Sequence, residues 1–346
     1  MDVETLTDGG QSAASIATRL ASFLSEARTS LDIAIYDFAL APGTAAVVTA
    51  AFEEARKRGV AIRLAYNADY RQRDGVPPAP VTDQALIESL GVATVGIPGI
   101  PDLMHQKYVV RDQREVWTGS TNWTEDSWTR EENVIVVADS RPLAAAYARD
   151  FEELWRTQRV LGSGDFVSGW LSIGESKVRP WFSPGRGNSI ARRISTAIAR
   201  ASHRVRVASP VITAGPILAT LAEVASAQKV DLAGVFDITQ MNQVRAQWQA
   251  DPHASWKIPI FTELVAQASF AGKVTTPYGP GTVHDFMHAK VTVADDIVFV
   301  GSYNLSQSGT ENAENVLEIR DGALADRMAA YVDALRVRYP AARWPA

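Results

Sequence analysis

One stretch of this chain occurs twice, and any fold it adopts has to place the two copies in equivalent surroundings. The first copy reads Met104-His105-Gln106-Lys107, runs through a hairpin at Asp112, and continues to Gly119-Ser120-Thr121-Asn122. The second reads Met287-His288-Ala289-Lys290, turns at Asp295, and continues to Gly301-Ser302-Tyr303-Asn304. An acidic-amide pair follows each copy, Glu132-Asn133 and Glu314-Asn315, at the same distance from the preceding asparagine. Two blocks in one order and with nearly one spacing indicate duplication and a site assembled from both halves.

The chemistry of the block follows from strand geometry. Side chains alternate along a strand, so His105 and Lys107 share a face, as do His288 and Lys290. Ser120 and Asn122 are again two apart, as are Ser302 and Asn304. Each copy therefore offers an imidazole, an ammonium, a hydroxyl and an amide. Lysine and asparagine suit phosphate oxygens. Histidine serves near neutral pH as nucleophile or as acid-base group. Two copies face to face would set two histidines on opposite sides of one phosphate, one to attack and one to protonate the leaving oxygen.

The doubled pattern resembles the phospholipase D superfamily, whose signature is His-x-Lys, four residues, Asp, six residues, Gly-Ser-x-Asn. The first copy fits throughout; the second has five residues, Asp296 to Val300, where the signature has six, which reads as a shorter hairpin. The resemblance extends over nearly the whole chain. It implies two similar α/β repeats packed about a pseudo-two-fold axis, with both motifs at the interface. It also implies a phosphohistidine intermediate, with His105 as nucleophile and His288 as acid.

The rest of the chain is read around that frame. Its 346 residues suffice for two domains. Helical periodicity over 11–28 and 43–58, between strands at Leu31–Tyr36 and Val60–Tyr66, gives β-α-β order, and 189–201, 215–227 and Val230–Asp237 replay it. The expected fold class is α/β with mostly parallel sheets flanked by helices. The first repeat is assigned to 1–160, a glycine- and serine-rich linker to 161–176, and the second repeat to 177–346. Residues 239–272 have no full counterpart and read as a partly helical insertion near the site. There is no cysteine, so thiolate metal sites and disulfides are excluded. No apolar run approaches the roughly 20 residues that cross a bilayer. No signal peptide is evident, so the expected location is cytoplasmic, with peripheral membrane contact at most. With both motifs on one chain, a monomer suffices.

The expected catalytic set is His105, His288, Lys107, Lys290, Asn122, Asn304, Glu132 and Glu314. The two glutamates are candidates to orient each imidazole through its second nitrogen, as the aspartate of a serine-protease triad does. Ser120, Ser302, Trp123 and Trp128 are candidate substrate contacts, and His284 is a candidate for the pocket wall. Asp112 and Asp295 read as turn formers. No cofactor is expected and no residue cluster has metal-ligand spacing, so activity should survive chelators. The substrate stays open: a glycerophospholipid, single-stranded DNA or RNA, or, in a non-catalytic module, a bound phosphate alone. The net charge of −5 counts against a protein built mainly to grip nucleic acid. Arg71, Arg73, Arg186, Arg192 and Arg193 could nevertheless form a basic rim.

Overall fold

The structure is a computed structural model and describes residues 1–68, 82–279 and 281–344. Two large sheets carry the fold. The first has seven strands in the spatial order Asp2–Leu6, Asn133–Asp139, Glu115–Gly119, Lys107–Arg111, Ser30–Ile35, Ala61–Ala68 and Ala93–Pro98. The second has eight: Leu171–Ile173, Ser176–Ser183, Glu314–Arg320, Ile297–Gly301, Val291–Ala294, Arg204–Ser209, Asp231–Asp237 and Ser269–Lys273. The fold is α/β as expected, but the sheets are mixed rather than mostly parallel. Only the last three strands of each order run parallel. The motif hairpins pair antiparallel because short turns join them, and the strands beyond them pair antiparallel as well. The stretch 161–176 is not purely a linker either, since Leu171–Ile173 forms the edge of the second sheet.

This order puts the site where it is. Lys107–Arg111 runs antiparallel to Ser30–Ile35, with Lys107 opposite Ile35. Its first residues therefore meet the carboxyl ends of Ser30–Ile35 and Ala61–Ala68, the end at which α/β sheets hold ligands. Asn67, near the end of Ala61–Ala68, accepts the Met104 amide at 3.0 Å; its counterpart Asp237 accepts the Met287 amide at 3.2 Å. Each histidine thus enters its strand from a fixed anchor.

The hairpins differ as their spacing suggests. Arg111 pairs with Glu115 across a three-residue turn, whereas Ala294 pairs with Ile297 across Asp295-Asp296 alone. Asp112 and Asp295 accept backbone amides at the far end of the sheet, Arg28 to Ser30 and Ser202 to Arg204 respectively. They tie turn to turn, well away from the histidines.

Helices Arg141–Thr157 and Gly322–Arg338 are capped by Ser140 and Asp321, whose side chains accept the amides of Leu143 and Leu324. Their apolar faces enter one central core with residues of both sheets, including Val110, Val136, Phe182, Val298 and Leu317. Each half keeps a second core under its outer helices. Among the described residues no helix is long and apolar enough to cross a membrane.

Candidate active site

The two motifs meet across the halves. His105 and His288 lie in one cleft of about 290 Å³, with Asn122 and Asn304 in its lining. They are 5% and 9% exposed, so each presents little more than an edge. His105 Nδ1 lies 2.8 Å from Glu314 Oε2, a residue of the opposite half. His288 Nδ1 lies 3.0 Å from Asn133 Oδ1 and 3.2 Å from Glu131 Oε2, again from the opposite half. In both imidazoles Nδ1 is occupied and Nε2 is left for a substrate.

The lysines are buried beside them. Lys107 donates to the His105 carbonyl at 2.8 Å, and Lys290 to the His288 carbonyl at 2.5 Å. The Lys107 ammonium also lies over the Tyr36 ring, 4.7 Å from its centroid. Burial sets the electrostatics. It lowers His105 to about 4, with Glu314 opposing and Lys107 assisting, and it holds His288 well below the usual histidine range. It lowers Lys107 to about 7, raises Glu131 to about 7, and pushes Lys290 down. Burial thus favours the neutral imidazoles and amines, and an arriving anion favours their charged forms.

Three groups of expected residues are placed differently from expectation. Glu132 does not reach a histidine. Its carboxylate pairs with Lys273 at 3.0 Å and with the Tyr339 hydroxyl. The cause is a one-residue difference in register. Gly119 pairs with Ile135, but Gly301 pairs with Val316, so Asn133 rather than Glu132 is the counterpart of Glu314. The first half carries an amide there, and Glu131, two residues earlier, brings the carboxylate. The tight passage at this point explains the glycines: a Cβ on Gly119 would lie 2.0 Å from the Val134 carbonyl oxygen, and one on Gly301 2.2 Å from that of Asn315.

Ser120 and Ser302 are buried behind the cleft rather than in it. Ser120 donates to Asn133 Oδ1 at 2.7 Å and accepts the Val134 amide; Ser302 accepts the Asn315 amide at 3.0 Å. Ser120 thus holds the Asn133 amide that meets His288, and Ser302 holds the residue next to Glu314. Trp123 and Trp128, 3% and 1% exposed, face the core of the first half. The chain turns back after Asn122 so that Trp123 pairs with Phe38, and the Trp128 indole donates to the Asn122 carbonyl at 2.8 Å. Neither reaches a substrate.

The wall is built from residues the motif does not contain. Tyr36 and Asp37 follow the end of Ser30–Ile35, and that position at a parallel strand's carboxyl end was the signal for them. Gln240 and Gln243 come from Ile238–Ala250, the first helix of the insertion. Tyr278, His284 and Phe286 form an aromatic bank, with the His284 and Phe286 rings 25° apart at 5.1 Å. The His284 amide donates to Asp126 of the other half at 2.9 Å. Arg186, Arg192 and Arg193 do not line the cleft, and Arg193 is paired with Glu318. Arg71 and Arg73 lie outside the described residues. Among the described residues no cluster of three His, Cys, Asp or Glu side chains is arranged around a metal.

The family model described as "Cardiolipin synthase, PLD-like domain" matches residues 20–155 and 194–336, most of both halves. The chain belongs to the phospholipase D superfamily. It is 32% identical over 139 residues to mitochondrial cardiolipin hydrolase of Xenopus tropicalis, covering 40% of this chain and 60% of that protein. It is 29% identical over 147 residues to the human protein of the same name, covering 42% and 52%. The matched part thus spans about half to three-fifths of these relatives. Among solved structures, phosphatidylserine synthase of Haemophilus influenzae superposes with a TM-score of 0.67 at 13% identity, covering 97% of this chain and 86% of that one. The likeness is one of fold.

The pair between Glu132 and Lys273 joins the halves away from the chemistry. Both side chains are buried, and breaking such a pair strands a charge at about 3–5 kcal/mol. Glu132→Ala is therefore expected to lower the denaturation midpoint sharply while leaving kcat of the folded fraction unchanged. A variant that unfolds like wild type but loses kcat would return Glu132 to the catalytic set.

Proposed function

We propose that the chain is a metal-independent phosphodiesterase of the phospholipase D kind, acting on glycerophospholipids through a phosphohistidine. One observation carries this reading: two imidazoles from opposite halves open into one cleft, each with Nδ1 held by the half it does not belong to. In the first step His105 Nε2 attacks phosphorus and the bond to the leaving oxygen breaks. His288 supplies the proton that oxygen needs. Burial raises Glu131 to about 7, so part of it carries a proton near neutral pH, and the negative phosphodiester favours moving that proton onto the imidazole beside it. In the second step His288 activates water, which displaces the phosphoryl group from His105. Lys107, Lys290, Asn122 and Asn304 stabilise the charge on the transferring group as preorganised donors.

The lipid reading rests on the cleft wall. Aromatic rings and side-chain amides line it, and among the described residues no arginine does, whereas a strand-binding groove follows the backbone with exposed cations. The name of the cardiolipin hydrolases agrees with that reading. The test is turnover in EDTA on phosphatidylcholine and phosphatidylglycerol vesicles, single-stranded DNA and single-stranded RNA. Head-group release with intact strands is expected. Strand cleavage alone overturns the lipid reading, and silence on all four overturns the phosphodiesterase. Activity lost in EDTA and restored by a divalent ion overturns metal independence.

A further inference from the structure

Behind the cleft floor lies a polar network that this mechanism does not use. Gln106 stands between His105 and Lys107, so strand alternation turns it to the opposite face, where it is fully buried. Its Nε2 donates to Asp150 Oδ2 at 3.1 Å, and its Oε1 accepts from Asn315 Nδ2 at 2.7 Å. The Tyr108 hydroxyl donates to the same Asp150 oxygen at 2.8 Å. Asn315 Oδ1 accepts from Thr118 at 2.9 Å and from Tyr147 at 3.0 Å. Burial raises the Asp150 carboxyl to about 8, so it stays protonated and neutral at pH 7.

The placement of this network relative to the site is specific. Gln106 follows His105, and Asn315 follows Glu314. The bond between the two amides therefore crosses the halves one residue behind the bond between His105 and Glu314. The His105 amide donates to the Ala313 carbonyl at 2.9 Å, and the Ala313 amide to the Leu103 carbonyl at 2.8 Å, completing a short cross-half ladder.

The other half builds the same fold without it. Ala289 occupies the place of Gln106. Val134 occupies that of Asn315, since the Ser120 and Ser302 amides donate to the carbonyls of Val134 and Asn315. Tyr331, like Asp150 the tenth residue after its helix cap, donates to backbone carbonyls of Leu6 and Asn133 instead. Closing the fold thus does not require the network. Buried polar networks contribute little net stability compared with apolar packing, and their best use is to impose one arrangement.

We propose that Asp150, Gln106 and Asn315 form a positioning staple that holds the His105–Glu314 pair at a fixed angle to the phosphate, so that the first half supplies a rigid nucleophile and the second an adaptable acid. The role as nucleophile rests on the function proposed above; the rigidity does not.

The test copies the second half into the first with the double variant Gln106→Ala/Asn315→Val. Two readouts are taken: the burst rate on a p-nitrophenyl phosphodiester, and ring signals from 15N-labelled histidine by NMR. The burst is expected to slow by about tenfold to a hundredfold with KM little changed, the effect of a misaligned reacting group. The His105 Nδ1 proton signal is expected to broaden while the His288 signals stay. Asp150→Asn, which keeps a neutral acceptor, should remain near wild type, and Asp150→Leu should follow the double variant. An unchanged burst with an unchanged His105 signal overturns the staple. So does a loss of both histidine signals together with thermal stability, which would mark ordinary packing, or an equal loss in Asp150→Asn and Asp150→Leu. If wild type cleaves no phosphodiester, the proposed function falls, and selective broadening at His105 still supports the staple.

Discussion

Replacing His105 by alanine is expected to lower turnover by on the order of 10⁴-fold or more, because it removes the nucleophile assigned to the covalent intermediate. Rapid quench with a 32P-labelled substrate should find acid-labile phosphoprotein in wild type and none in His105→Ala. His288→Ala should lose turnover to a similar extent on a lipid, whose alkoxide leaves only when protonated. Its loss should be much smaller in the burst on a p-nitrophenyl ester, whose leaving group needs no proton. The asymmetry behind this assignment is in the second contacts. His105 faces the Glu314 carboxylate, and His288 faces the Asn133 amide and a Glu131 that burial raises to about 7. A labelled intermediate that survives in His105→Ala and disappears in His288→Ala would exchange the two roles.

Glu314→Gln should cost on the order of 10²–10⁴ in kcat, the scale on which the carboxylate of a serine-protease triad acts. The carboxylate at 2.8 Å orients the ring and stabilises the charge His105 gains as phosphorus bonds to Nε2. It also carries a pH signature. Burial lowers His105 to about 4, and Glu314 opposes that lowering. Below that value the free imidazole is protonated and cannot attack, so the acid limb of kcat/KM in wild type falls near pH 4. Removing the Glu314 charge removes a raising influence, and the limb should move to lower pH. A limb that stays in place or moves up would mean that Glu314 does not act on His105. Glu132→Gln, one register position away in the other half, should leave the limb where it is.

Much of the site was legible because the chemistry repeats. His105 and Lys107, or His288 and Lys290, share a face in any strand, and the second copy says what the first is for. The partners of the imidazoles were only half legible. The spacing from Asn122 to Glu132 equals that from Asn304 to Glu314, yet it points to the wrong residue in the first half. The loop after Asn122 is one residue longer when measured by strand pairing, which moves Glu132 off the inner face and onto Lys273. Sequence spacing counts residues, whereas register is set by which backbone groups pair. The tryptophans misled for a related reason. Proximity to Asn122 in the chain says nothing about which way the chain turns, and here it turns into the core.

The sequence by itself determined the duplication, the α/β class, the two histidines with their lysines and asparagines, and the shorter second hairpin. These follow from residue type and from local periods that a strand or helix cannot alter. Only the tertiary structure decided that each histidine is held by the opposite half, that Glu131 and Asn133 serve His288, and that Tyr36, Gln240, Tyr278 and Phe286 wall the cleft. It also decided that an amide network backs one histidine and apolar side chains the other. The contacts between the halves join segments more than 100 residues apart, and they depend on how two sheets pack through one core.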